Sequence, residues 1–99
     1  GLLGIWHIAT WLYNDMKDEI NRVTRSQHAL ETLDALFARP FLTAPDFLKR
    51  TGVARRTGFR ILDDLQKGGI LEVHEEGAGR RPAVLAFTRL IKLTEQRAF

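Results

Sequence analysis

The sequence predicts a mainly α fold with a small β-hairpin: a winged helix-turn-helix preceded by a long amphipathic helix. Three observations predict it. Between Thr43 and Lys67 a short capped helix, a turn holding Gly52 and a second helix with a basic amino end follow one another, which is the order of a helix-turn-helix. From residue 70 the period changes to that of two short strands around "GAGRR". Before both, residues 5 to 24 hold a helical repeat uninterrupted by Pro or Gly.

The first helix is marked by Ile5, Ile8, Leu12, Met16 and Ile20, spaced three or four residues apart. That spacing places them on one face. Its aromatic residues Trp6, Trp11 and Tyr13 are expected to pack in a core. A helix of about 20 residues spans about 30 Å, more than the rest of the domain is expected to cover. The five-residue stripe is therefore the expected interface with a second copy or with a missing domain of a parent chain. A membrane is the poorer partner, because the polar face around "NDMKDE" is not basic as anionic lipid requires.

Ser26 is placed to cap a second helix carrying Ala29, Leu30, Leu33, Leu36 and Phe37, which Pro40 should end. Thr43 and Asp46 then have the spacing of a capping box, Pro45 sits in the first turn, and Leu42 and Phe47 can form a hydrophobic staple. The helix of greatest interest runs from about Arg55 to Lys67 and stops at Gly68-Gly69. Gly58, Ile61, Leu62 and Leu65 fall on one side of it, which must face the core. Arg55, Arg56, Phe59, Arg60 and Asp63 are left outward, and Asp64 can pair with Arg60 at i, i+4. Gly58 permits a close approach by the preceding helix. The strands "ILEVHEE" and "PAVLAF" form the wing, with Arg80 and Arg81 at its tip, and "TRLIKLTEQRAF" returns to helix.

The 99 residues suit one core and divide into residues 1–25, a linking or dimerising helix, and residues 26–99, the winged helix-turn-helix. The chain begins at Gly1 and its one methionine is Met16, so it is expected to be a piece of a longer protein. With no cysteine it has no disulfide, thiolate metal site or cysteine nucleophile. No apolar run is long enough to span a membrane, and a cytoplasmic location is expected. The net charge of +3 is uneven: residues 1–40 carry −1 and residues 41–99 carry +4.

Residues 29–40, 43–71 and 79–87, ending in "GRRPAVLAF", resemble the carboxy-terminal winged-helix domain of Fic-family proteins, a bacterial-type resemblance covering about two-thirds of the chain. Two positions depart from that pattern: Ala54 stands where a capping Ser is usual, and Gly58 where Ala is usual. The family transfers AMP from ATP to a hydroxyl of a target protein through a loop of the form HPFxxGNGRxxR. No such text occurs in these residues, so the activity is implied only for a parent chain.

The residues themselves offer no enzyme. His7, His28 and His74 are scattered without ligand spacing, Ser26 reads as a cap, and the "GAG" at 77–79 precedes a strand, whereas a phosphate loop precedes a helix. No catalytic residue, metal or cofactor is expected. Binding of double-stranded DNA is the leading expectation, by Arg55, Arg56, Thr57, Phe59 and Arg60 on the helix and Arg80 and Arg81 on the wing, most plausibly as a dimer. The alternative is a docking or self-association module that positions or regulates a Fic-type enzyme. Asp63, Asp64, Glu72, Glu75 and Glu76, which would repel phosphate, keep that alternative open.

Overall fold

The structure, a computed structural model, describes the backbone of residues 2–97 and the side chains of residues 10–93 and 95. Five helices and three short strands follow in the order α1 (Leu2–Thr24), α2 (Ala29–Ala38), β1 (Phe41–Leu42), α3 (Ala44–Thr51), α4 (Arg55–Lys67), β2 (Leu71–Glu75), β3 (Val84–Phe87) and α5 (Thr88–Arg97). The predicted fold class is the observed one, a helical domain with a small β wing.

The core collects one face of every helix. Leu12, Met16 and Ile20 of α1 are buried with Leu33 and Leu36 of α2, Phe47 of α3, Ile61 and Leu65 of α4, and Leu85 and Phe87 of β3. Three rings run through it edge to face: Tyr13 on Phe37 at 5.2 Å and Phe37 on Phe87 at 5.4 Å. The Tyr13 hydroxyl donates to Asp34 Oδ1 at 2.7 Å, tying α1 to α2 at the rim. From the other side Arg89 of α5 reaches Asp15 at 3.2 Å and donates to the Met16 sulfur at 3.3 Å.

This arrangement corrects the expected interface stripe. Leu12, Met16 and Ile20 are 5%, 0% and 0% exposed within a single chain, so they serve its own core and leave nothing for a second copy to bury. Their partners are α2 and α4, which pack against α1, a coverage that the length of α1 alone conceals. The side chains of Ile5, Ile8, Trp6 and His7 lie outside the described residues. Trp11, expected in the core, is instead 62% exposed, because it precedes the buried Leu12 by one residue and so falls about 100° away around the helix.

Local chemistry sets the helix ends. Arg25 closes α1 in the left-handed region (φ 47), its N–H donating to Asn21 O at 2.9 Å. Ser26 is not the N-cap of α2, which is His28; Ser26 stands two residues earlier and its Oγ accepts from His28 N at 3.0 Å. The capping box on α3 is present in both directions, Asp46 N to Thr43 Oγ1 at 3.3 Å and Thr43 N to Asp46 Oδ2 at 3.1 Å. The Thr43 N–H donating to it holds the Asp46 carboxyl below its ordinary range, and Arg39 and Arg50 add to the effect. Leu42 and Phe47, the expected staple, are both buried.

The sheet has an unexpected member. Its order is β1-β3-β2, all antiparallel, with Phe41 opposite Ala86 and Leu42 opposite Leu85. Two residues are too few to show an alternation, so β1 has no signature in the sequence. It nevertheless fixes the wing to the connection between α2 and α3, and Phe87 N donates to Pro40 O at 2.7 Å beside it.

One buried polar group stands alone. Thr32 on α2 is 0% exposed, and its hydroxyl is the one buried side-chain polar atom among the described residues without a hydrogen-bond partner. An unmet hydroxyl in an apolar site costs about 1–3 kcal/mol. Thr32→Val keeps the shape and removes the group, so it should raise stability by about 1 kcal/mol or more. Equilibrium urea unfolding checks this, and a destabilised valine variant would contradict it.

Candidate nucleic-acid interface

The site is built around α4, and the rotation of that helix decides which side chains it offers. Gly58, Ile61, Leu62 and Leu65 are buried, as the spacing predicts. Gly58 has a second reason to be glycine. A Cβ there would run into Leu48 Cδ2 of α3 and lie 3.3 Å from Val53 Cγ2. The two helices of the motif pack closely here, and an added Cβ would require the end of the Leu48 side chain to move; glycine carries a helix-propensity cost of about 1 kcal/mol relative to alanine. Gly52, φ 70, makes the turn between them. Ala54 is the N-cap of α4 and supplies no side-chain hydrogen bond, as the sequence implies.

With that face inward, Arg55, Arg56, Phe59, Arg60 and Asp63 are all exposed and Thr57 is half-buried. Arg56 and Arg60 stand one turn apart, Arg60 on the side of α4 that faces the α1–α2 turn. Arg55 lies to the wing side, its guanidinium 5.4 Å from the centroid of the Phe59 ring. Neither Arg55, Arg56 nor Arg60 makes an ion pair with any described residue. The expected Arg60–Asp64 pair is not formed. Asp63 instead takes Lys67 at 2.8 Å, which raises the lysine pKa by hydrogen bonding and charge. An acid at i, i+4 ahead of a base is the favoured order along a helix, and it draws the cation of the last turn and leaves Arg60 free.

The wing is a tight hairpin. Ala78 and Arg81 exchange both backbone hydrogen bonds, at 3.0 and 2.9 Å, around Gly79-Arg80, and Gly79 has φ 61. Glycine at the first of two central hairpin positions is what such a loop requires. Arg80 therefore projects at the tip, exposed and unpaired among the described residues. Arg81 donates to Glu75 Oε1 at 3.2 Å across the hairpin, so half of the expected cationic tip is neutralised locally.

Two hollows flank α4. On the wing side an apolar groove of about 490 Å³ lies among Phe59, Leu62, Val73, Pro82 and Leu85, with Arg55 at its edge. On the other side a polar cleft of about 460 Å³ lies between Thr57 and Arg60 of α4 and the α1–α2 turn, residues Arg25 to His28. Sequence reasoning missed the second, since Arg25 and Thr57 are brought together only by folding. Among the described residues no group of three or more His, Asp or Glu is arranged to hold a metal ion. None of their helices is long and apolar enough to cross a membrane.

Comparison with known proteins gives one informative likeness. The chain is similar in fold to a solved structure of BpsR from Bordetella bronchiseptica, described in terms of the mechanism by which 6-hydroxynicotinic acid regulates the DNA binding of that protein. The TM-score is 0.55 at 17% sequence identity, over 97% of this chain and 80% of that one. At that identity the likeness is one of fold, and it takes in α1 as well as the winged helix. No family model and no curated protein matches the sequence.

The face assignment can be tested by two substitutions on α4. Leu62→Ala opens a cavity in the core and should cost about 2–5 kcal/mol. Arg56→Ala, on the exposed face, should cost under about 0.5 kcal/mol. Thermal and urea unfolding of both variants would expose a reversed assignment as two equal losses.

Proposed function

We propose that the chain is a winged-helix DNA-binding module of the kind transcription regulators use. The observation that carries this reading is the outward face of α4: Arg55, Arg56 and Arg60 are exposed, without a carboxylate partner among the described residues, and set outward by the burial of Gly58, Ile61, Leu62 and Leu65 on the opposite side. A helix of 13 residues, about 20 Å long, fits the major groove of duplex DNA. Arginine is the side chain suited to bidentate contact with guanine or phosphate. Arg55, Arg56, Thr57, Phe59 and Arg60 would then meet the groove, and Arg80 and Arg81 the phosphates beside it. The BpsR likeness supports the reading, because that protein carries a DNA-binding activity on a similar fold. The resemblance of residues 29–40, 43–71 and 79–87 to the Fic carboxy-terminal domain makes a Fic-type protein the parent we infer.

A second reading has its own observation. The groove beside Phe59 and Val73 leaves those two apolar side chains 44% and 42% exposed, and Asp63 stands in its lining with Arg55. Such a surface suits a partner protein, as in a docking module for a Fic-type enzyme. Titration of a random duplex pool at low and at physiological salt separates the two. Under the DNA reading a subset of duplexes binds at submicromolar Kd and weakens steeply with salt. No duplex binding tighter than about 10⁻⁴ M, the weak end of non-specific affinity, would leave the docking reading in its place.

For assembly, we propose that the amino-terminal third of α1, from Ile5 and Ile8 to the exposed Trp11, meets a second copy or a further domain of the parent. Sedimentation velocity of the wild type and of Trp11→Lys should show a dimer weakened by the charge. A wild type that stays monomeric at about 100 μM would remove the self-association claim.

A further inference from the structure

The cleft between α4 and the α1–α2 turn has no role in the sequence-based expectations, yet its chemistry is the more uniform of the two hollows. Six residues line it: Arg25, Ser26, Gln27, His28, Thr57 and Arg60. Two are arginines on opposite walls, one from the α1–α2 turn and one from α4. Neither has an ion-pair partner among the described residues, and no carboxylate is in the lining. The others are hydroxyl, amide and imidazole groups able to donate hydrogen bonds. Asp64 lies one turn beyond Arg60 and outside the cleft.

The wing presents the contrary case. Arg81 is engaged with Glu75, and Glu72 and Glu76 stand on the same hairpin. A phosphate brought to the wing would meet one free arginine, Arg80, among three acids. A phosphate brought to the cleft would meet two free arginines and no acid. Charge-assisted bonds from guanidinium to phosphate are the strong, orienting kind.

Arg25 occupies a helix-closing position with positive φ. It is the one residue other than glycine with positive φ among the described residues. Glycine is the usual residue where a helix ends in this conformation, and any other L-residue there is strained. The strained backbone holds an arginine at the mouth of the cleft.

We propose that this cleft is a phosphate-binding site, with Arg25 and Arg60 as its charged walls and Thr57, Ser26, Gln27 and His28 supplying further hydrogen-bond donors. Taken with the DNA reading, which this deepens, its ligand is a backbone phosphate bordering the groove that α4 enters. Arg60 is then a positioning contact to the backbone, and Arg55 and Arg56 are left to read base edges. The duplex is anchored on the α1–α2 side of α4, with the wing contributing less.

The test uses the whole chain and two probes. In the first arm, sodium phosphate replaces sodium chloride at constant ionic strength and backbone amide shifts are followed by NMR. Residues 25–28, 57 and 60 should move together and saturate in the millimolar range, and should not move in Arg25→Gly. In the second arm, the slope of log affinity against log salt is measured for the best duplex. Each phosphate contact contributes about 0.9 to that slope. Arg25→Gly and Arg60→Gln should each lower it by about that amount and leave sequence preference intact, whereas Lys92→Ala, one charge lost on α5, should leave it unchanged. Because glycine relieves the strained backbone, Arg25→Gly should melt no lower than the wild type while binding less well, which separates binding from folding.

Phosphate shifts without any duplex binding would uphold the site with a free phosphate compound as its ligand and remove the DNA reading. Duplex binding with an unaltered salt slope in both arginine variants would overturn the cleft and leave the DNA reading standing. Shifts spread over the whole basic surface, or none, would equally overturn it.

Discussion

The packing of α4 against α3 and the core decides which side chains this protein presents around α4. It brings α3 and α4 so close that no side chain is possible at position 58 without displacing its neighbour. That packing, with Ile61, Leu62 and Leu65 buried in it, fixes the rotation of α4. A helix turned by 100° about its axis would bury Arg55 or Thr57 and expose leucine. The direction of every arginine on α4 is therefore set by packing on the opposite side. Glycine at this position gives up intrinsic helix stability relative to alanine.

Charge is distributed around α4 less evenly than the count of arginines suggests. On the wing side Arg81 is held by Glu75. In the last turn Lys67 is held by Asp63. These pairs are exposed, so each contributes little to stability, but each lowers the attraction that side of the surface exerts on an anion. Arg55, Arg56 and Arg60 in the first two turns of α4, and Arg25 at the α1–α2 turn, have no ion pair among the described residues. An acidic wing beside a basic helix start gives the surface a polarity, and a polyanion approaching it would be drawn to one flank.

The integration of α1 changes the picture of the domain. From Leu12 onward it belongs to the same core as α2, α4 and the sheet, and the fold likeness to BpsR extends over it. Its burial also positions Arg25, since the end of α1 is where the cleft begins. The amino-terminal helix thus supports one wall of the candidate cleft directly.

Much of this was legible in the residues. Helix α3 and its capping box follow from Thr43, Pro45 and Asp46, because a cap is a local arrangement of neighbours in sequence. The span of α4 and its buried stripe follow from a repeat of apolar residues, and the hairpin from "GAGRR", for the same reason. The pairings did not follow. Strand β1 is two residues long and exists only because β3 lies beside it. Asp63 rather than Asp64 found a cation because Lys67, not Arg60, swings toward it. Leu12, Met16 and Ile20 carry the same periodicity whether a helix meets its own chain or another, and only the folded contacts distinguish the two. The cleft is the extreme case: Arg25 and Arg60 are 35 positions apart, and no local pattern relates them. Hydrophobic period and capping act within a few residues, so sequence alone determined the elements and their faces. Which charges stand free and which residues share a surface are sums over distant neighbours, and the tertiary structure alone decided them.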